Sequence, residues 1–286
     1  MKKVVCIVGP TGVGKSDISL EVAKHFGNEI INGDSVQVYK ELNIGSAKIT
    51  DFKGIKHYLI DFLDLDKDYS VCDFQKDVRD IIEKIDRPLI VGGTGLYVKA
   101  ALYDYEFDDK KRDLDEDSSY DDVETEKLYE MLKEIDPNTT VDRFNRRRVI
   151  RAYIQAKNNN ILSDRKGKNK PLYDILMICL TADRDIIYDR INRRVDKMVE
   201  MGLIEEVKTL RDRGYKQMQI GYREINNYFD GLYSLEDAIE DIKKNTRHYA
   251  KRQITWFKNQ MNATMVDIMD KPLEKCINLI DEFYKN

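Results

Sequence analysis

Gly9-Pro10-Thr11-Gly12-Val13-Gly14-Lys15-Ser16 fits G-x-x-x-x-G-K-[ST], the spacing of a phosphate-binding loop. Its glycines let successive backbone N–H groups turn toward an anion, and the N-terminus of a following helix adds partial positive charge. Lys15 is expected to reach terminal phosphates and Ser16 to offer its hydroxyl to Mg²⁺. Before the motif, Val4-Val5-Cys6-Ile7-Val8 reads as a buried strand; after it, Ile18, Val22 and Phe26 recur at helical spacing. A ligand-free glycine turn does not need that strand–loop–helix setting. Which phosphate compound the loop holds stays open, because kinases, GTPases and transferases with a diphosphate leaving group share it.

Other residues with chemistry lie at the ends of further strands. Glu29-Ile30-Ile31-Asn32 reads as a second strand that ends at Gly33-Asp34-Ser35-Val36-Gln37-Val38-Tyr39. Ligands of open α/β sheets bind at the carboxyl ends of strands, which puts Asp34 in the same crevice as the phosphate loop. A turn or helix-cap aspartate is an equally good account of it. Pro88-Leu89-Ile90-Val91 is another buried strand, leading into Gly92-Gly93-Thr94-Gly95-Leu96-Tyr97. That second glycine-rich turn serves either close strand–helix packing or the approach of backbone and the Thr94 hydroxyl to a ligand.

Cations cluster in three places. Arg143 to Arg151 holds five arginines in nine residues. On one helix Arg147 and Arg151 share a face with Arg148 beside them, a pattern suited to phosphate neutralisation or to a solvated charged surface. A long amphipathic helix from about Arg184 to Arg213, broken at Gly202, carries Arg190, Arg193 and Arg194. The stretch Asn245 to Phe257 interleaves cations with the only tryptophan, Trp256, as base stacking would need; core packing of Trp256 and Phe257 is the alternative.

These residues need a scaffold, and the pattern supplies one. Strand alternates with helix, which means a parallel sheet. His57-Tyr58-Leu59-Ile60-Asp61 reads as a strand, and Ser70 or Asp73 caps a helix running to about Ile85. From Asp104 to Glu126 the chain is acidic with little apolar periodicity, and a helix from about Glu124 to Glu134 precedes the arginine cluster. Asp174 to Leu180 returns to the sheet. The chain therefore reads as a core of residues 1–103 and 172–286, with residues 104–171 as a helical insertion.

Composition excludes several classes. The 286 residues are 42% apolar with net charge −4, enough for a full core. Cys6, Cys72, Cys179 and Cys276 are widely spaced, and only three histidines occur, so neither a disulfide frame nor a zinc site is expected. No apolar run approaches the ~18 residues of a membrane span. The N-terminus runs straight into a strand, which argues against a cleaved signal peptide. A cytoplasmic protein acting as a monomer is the expectation.

Taken together, the motifs resemble the bacterial tRNA dimethylallyltransferases (tRNA isopentenyltransferases) from Val4 to about Phe257. The stretches that carry the resemblance are Gly9–Ser16, Asp34–Tyr39, Ile44-Gly45-Ser46-Ala47-Lys48, His57–Asp61, Tyr69-Ser70-Val71, Val91–Tyr97, Arg194-Val195-Asp196-Lys197-Met198, Gly221-Tyr222-Arg223-Glu224 and Thr246–Phe257. The resemblance implies a P-loop NTPase-like parallel sheet flanked by helices, with an all-helical insertion domain. It implies transfer of a dimethylallyl group from dimethylallyl diphosphate to the exocyclic N6 amine of the adenine 3′ of the anticodon (position 37), with release of diphosphate. On this basis Asp34 is the general base, Thr94 lies near the target adenine, and Lys15 stabilises the leaving group. Gly9, Pro10, Thr11, Gly12, Val13, Gly14, Lys15, Ser16, Arg194 and Arg247 hold the diphosphate, with Mg²⁺ at Ser16. Contacts to the tRNA anticodon stem-loop fall to Asp34, Ser35, Val36, Gln37, Thr94, Arg112, Arg147, Arg148, Val149, Ile150, Arg151, Gly221, Tyr222 and Arg223. Gln219 departs from the family, where a small residue is usual, and the acidic run 108–126 is an odd surface for an RNA-binding insertion. No Cys/His module follows residue 257, so the extra zinc finger of some eukaryotic relatives is not expected.

Two other enzymes share parts of this pattern. A small-molecule kinase would use the phosphate loop, Asp34 and the arginine-bearing helix, but not the basic segments 143–151 and 243–252. An isopentenyltransferase acting on free adenylate would have no use for the arginine-rich insertion. A non-enzymatic RNA-binding module would not need Lys15, Ser16 and Asp34 together.

Overall fold

The computed structural model describes residues 1–107, 117–164 and 169–286. Arg112 and part of the acidic run lie outside the described residues. The chain divides into two compact units, residues 1–102 with 171–286, and residues 103–170.

The first unit is built on a six-stranded parallel sheet. Its strands are β1 (Lys3–Val8), β2 (Glu29–Asn32), β3 (His57–Tyr58), β4 (Pro88–Gly92), β5 (Asp174–Thr181) and β6 (Thr264–Asp267), in spatial order β3-β2-β4-β1-β5-β6. Val4 to Val8 are fully buried, as a central parallel strand covered on both faces requires. Chain connections leave the adjacent strands β1 and β4 toward opposite sides of the sheet, so a crevice opens at their carboxyl ends. Register sharpens this: Val8 lies beside Gly92, and Asn32 beside Val91. The turns that begin at Gly9, Gly33 and Gly93 therefore leave the sheet side by side. β3 is shorter than the sequence suggests. Leu59 (φ 58°) and Asp61 (φ 54°) adopt left-handed backbone, which an extended strand cannot contain.

Helices α1 (Lys15–Phe26), α2 (Val71–Lys84) and α3 (Gly95–Leu102) follow β1, β3 and β4. Ser70 caps α2 by accepting from the Asp73 N–H at 3.2 Å, and the Asp73 carboxylate accepts from Ser70 N at 2.9 Å. The two expected cap residues thus form one capping box.

In the second unit, α4 (Thr125–Ile135) packs on α5 (Arg146–Lys157) through Leu128, Leu132, Val149, Ile150 and Tyr153. The arginine-rich stretch is not one helix throughout. Asn145 caps α5 through a 3.3 Å bond from Arg148 N, which leaves Arg143 and Phe144 in the preceding turn.

Back in the first unit come α6 (Arg184–Glu200), α7 (Leu203–Asp212), α8 (Tyr222–Phe229), α9 (Leu235–Gln260) and α10 (Pro272–Lys285). The expected break falls at Gly202. Val195, Leu203, Val207, Tyr222, Ile225 and Ile242 close a second apolar cluster beside the sheet, which also takes Leu42 from the loop after β2. No helix among the described residues is long and apolar enough to cross a membrane. Cys6, Cys72, Cys179 and Cys276 are all unpaired.

Candidate active site

A cavity of about 1000 Å³ lies within the first unit at the carboxyl ends of β1, β2 and β4. The phosphate loop forms one wall. Gly9 has φ +141°, and a Cβ there would stand 2.5 Å from the Leu180 carbonyl oxygen of β5, so only glycine lets the loop turn so close to the sheet. Thr11, Gly12, Gly14, Lys15 and Ser16 line the cavity; Gly9, Pro10 and Val13 lie behind them. Lys15 Nζ donates to the carbonyls of Gly9 (3.0 Å) and Pro10 (2.9 Å). Burial, reinforced by the Arg194 guanidinium, pushes the Lys15 ammonium down to about 8, against an opposing pull from Asp34. Ser16 is exposed and lines the cavity, and its hydroxyl makes no hydrogen bond among the described residues. No cluster of three or more His, Cys, Asp or Glu among those residues could cage a metal.

Asp34 lines the same cavity. One carboxylate oxygen, Oδ1, accepts from Val36 N at 2.8 Å and Gln37 N at 3.3 Å. That is an Asx turn, so the structural account of this residue holds for one oxygen. The other, Oδ2, takes no hydrogen bond among the described residues. Asp34 is coupled to Arg194 as well as to Lys15. Arg194 is lowered by burial and raised by Asp34, and it has no ion-pair partner among the described residues.

Ser35, Val36 and Gln37 line the cavity with Gly45, Ser46 and Ala47. These two stretches belong to one loop, and several groups hold it. Gln37 Nε2 donates to the Ser46 and Ala47 carbonyls at 3.1 and 3.3 Å. Lys48 donates to Tyr39 O (2.7 Å), Asn43 Oδ1 (3.0 Å) and Asp61 Oδ1 (2.5 Å). Glu206 on α7 accepts from the N–H groups of Asn43, Ile44 and Gly45 at 3.2, 2.8 and 3.1 Å, and from the Tyr222 hydroxyl at 2.7 Å. A Cβ on Gly45 would stand 2.5 Å from the Tyr222 ring. Tyr222 is fully buried, so its place is beneath the loop and not at an RNA surface. Gly221 lines the cavity, whereas Arg223 pairs with Glu224. Gln219 lines it too.

Thr94 has a bracing position. Its Oγ1 accepts from Ser35 N at 3.3 Å, and its side chain meets Tyr249, while Thr94 itself does not line the cavity. Burial, aided by the Asp34 carboxylate, pushes the Tyr249 hydroxyl up to about 12.

Helix α9 presents Ile242, Thr246, Tyr249 and Gln253 to the cavity, a three- and four-residue recurrence that keeps one helix face toward it. Arg247 sits one residue round from that face. It donates to Asn192 Oδ1 at 2.7 Å and does not line the cavity, although a diphosphate contact was expected of it. Gln253 was not singled out by the sequence, yet it joins the two glycine turns. Its Oε1 accepts from Thr11 N at 3.0 Å and its Nε2 donates to Gly93 O at 2.9 Å. The helical recurrence was the one available signal for it. Lys15, Arg190, Arg193, Arg194, Lys197 and Arg252 line the cavity against the carboxylates of Asp17 and Asp34, which makes it strongly electropositive.

In the second unit, Arg147, Arg148 and Arg151 are exposed. Val149 and Ile150 are buried in that unit's own core, so their side chains position the arginines and are not themselves available to RNA. Arg146 also turns inward, donating to the carbonyls of Val123 (2.6 Å) and Tyr120 (2.7 Å).

Comparison with known proteins identifies the chain's relatives. The family model described as IPP transferase matches residues 37–260, and one described as isopentenyl transferase matches residues 2–64. A protein named tRNA dimethylallyltransferase from Acholeplasma laidlawii is 47% identical, with 99% of each chain covered. A crystal structure of a full-length tRNA isopentenylpyrophosphate transferase from Bacillus halodurans is 41% identical at TM-score 0.77, covering 100% of this chain and 97% of that one. A eukaryotic dimethylallyltransferase acting on tRNA, 27% identical, superposes at TM-score 0.85 over 100% of this chain and 80% of its own. With its parallel sheet, its phosphate loop and a family match spanning most of its length, the chain belongs to the IPP transferase family.

Proposed function

We propose that the chain is a tRNA prenyltransferase. It transfers the dimethylallyl group of dimethylallyl diphosphate to the exocyclic N6 amine of the adenine at position 37 of tRNA. The observation that carries this is that Lys15 and Asp34 line one electropositive cavity within electrostatic reach of each other. Lys15 suits a leaving diphosphate and Asp34 an amine that must lose a proton.

In the reaction the amine nitrogen bonds to the allylic carbon as the carbon–oxygen bond to diphosphate breaks. The electron pair leaves with the diphosphate. Lys15, the phosphate-loop N–H groups and Arg194 stabilise that growing charge. The amine proton goes to Asp34, whose Oδ2 is uncommitted. The exposed Ser16 hydroxyl fits a Mg²⁺ ion and would be the side chain that holds it. When bound, the ion supplies charge neutralisation to the leaving group. Arg190, Arg193, Lys197 and Arg252 exceed what one diphosphate needs and suit a second polyanion, the tRNA backbone. The target adenine must leave its stack to enter, at a cost of a few kcal/mol. Exposed Arg147, Arg148 and Arg151 offset that cost by gripping the anticodon stem. One cavity of one chain holds Lys15, Ser16 and Asp34, which supports action as a monomer, and a tRNA substrate supports a cytoplasmic reaction.

The test supplies Mg²⁺ and labelled dimethylallyl diphosphate with either unmodified tRNA carrying adenine 37 or free AMP. Label in the tRNA alone is expected. Label in AMP alone would replace tRNA with a free nucleotide as acceptor.

A further inference from the structure

We propose that Phe144, in the second unit, is a stacking platform for an unpaired base of the RNA; the proposal rests on the RNA-modifying reading above. Phe144 is 80% exposed, matched among large apolar side chains of the described residues only by Met1. It is not part of the apolar cluster that holds this unit together. Its turn is nonetheless ordered, since Phe144 N donates to Asp142 Oδ1 at 3.0 Å and Asn145 caps the helix that follows. The Arg143 guanidinium lies 4.9 Å from the ring centroid, so one partner already stacks on the ring.

The surroundings point to a nucleic acid and not to an apolar protein partner. Arg147, Arg148 and Arg151 are exposed and carry no ion pair among the described residues. Arg147 and Arg148 stand in the first turn of α5, where the helix dipole disfavours cations, so their charge does not serve the helix. Arg143, the cation over the ring, is held by Glu126 at 3.7 Å, but an exposed ring one turn from three guanidinium groups without ion pairs is what stacking on an unpaired base next to a phosphate backbone requires. Arg146, by contrast, is committed to the carbonyls of Tyr120, Asp121 and Val123 and is excluded from this surface.

The experiment uses the full chain with unmodified tRNA and labelled dimethylallyl diphosphate. Phe144→Ala is expected to raise KM for tRNA about tenfold, the loss of one base stack. Its kcat, its KM for the donor and its melting temperature should stay at wild-type values, and Phe144→Tyr should restore KM for tRNA. In a donor-free binding assay, the emission of Phe144→Trp should be quenched by anticodon stem-loop RNA beyond the response of wild-type Trp256. An unchanged KM for tRNA in Phe144→Ala, or no added quench in Phe144→Trp, overturns the proposal. If wild-type protein transfers no label to tRNA, the prenyl-transfer reading fails, while the quench still decides whether Phe144 meets RNA.

Discussion

Lys15 carries the sharpest consequences at the scale of single residues. Below pH 8 the ammonium is charged; as pH rises through about 8 the free protein loses that charge. The diphosphate must then bind together with a proton, so KM for the donor should climb above that pH by up to about tenfold per pH unit. A pH series of donor KM measures it. Stability runs the other way. The folded Lys15 sits at about 8 and the ordinary value is 10.5, so between these values the unfolded chain binds more protons. Folding is penalised below pH 8, and the penalty is relieved as pH rises toward 10.5. Lys15→Met should therefore abolish transfer, and its melting temperature should lose the rise between pH 8 and 10.5 that the wild-type chain shows. Gln253 makes a complementary prediction. Gln253→Met orphans Thr11 N and Gly93 O, each at about 1–3 kcal/mol, and loosens the phosphate loop. Donor KM should rise by about tenfold or more, with a loss of stability visible by thermal melting. The phosphate loop was legible because its residues are contiguous and its chemistry is local. The role of Gln253 was not, because its bond to Thr11 spans 242 positions.

Between the single residue and the whole chain lies the loop from Gly33 to Lys48, which has almost no regular structure yet forms much of one cavity wall. Its shape depends on Glu206 and Tyr222, contributed by α7 and α8. A carboxylate accepting three backbone N–H groups cannot be replaced by an amide, whose NH₂ would face donors. Glu206→Gln should cost about 2–4 kcal/mol in stability, since bonds to a charged group are worth about 1.5–3 kcal/mol each. Faster amide hydrogen exchange at Ile44 and Gly45 would locate the loss in this loop. Sequence periodicity found α2, α4 and the two helices parted at Gly202, because apolar spacing there is dictated by packing. It overextended β3, since the left-handed turns at Leu59 and Asp61 carry no glycine to announce them. The expected shared helix of Arg147, Arg148 and Arg151 is present, though Asn145 caps it and leaves Arg143 and Phe144 in the turn before. Val149, Ile150 and Tyr222, expected at the tRNA, have side chains that fill cores, because a residue within a motif can serve packing as well as contact.

Over the whole molecule, net charge of −4 conceals a sharply uneven distribution. Cations gather at the cavity and on α5. Affinity for tRNA should therefore fall steeply with salt, and Arg147→Ala should flatten the log–log slope by roughly 0.9 without changing the preferred sequence. The sheet order brings Lys15 and Asp34 to one cavity from strands separated by β4, which is the central claim. Its most direct test is the single-turnover rate of prenyl transfer to tRNA by Asp34→Asn. Asparagine keeps an oxygen for Val36 N, so the turn survives while the basic oxygen is lost. The predicted result is transfer slowed about 10²–10⁴-fold, with donor binding retained. Transfer at the wild-type rate would contradict the assignment of Asp34 as the proton acceptor and, with it, the division of roles between Lys15 and Asp34 in one cavity.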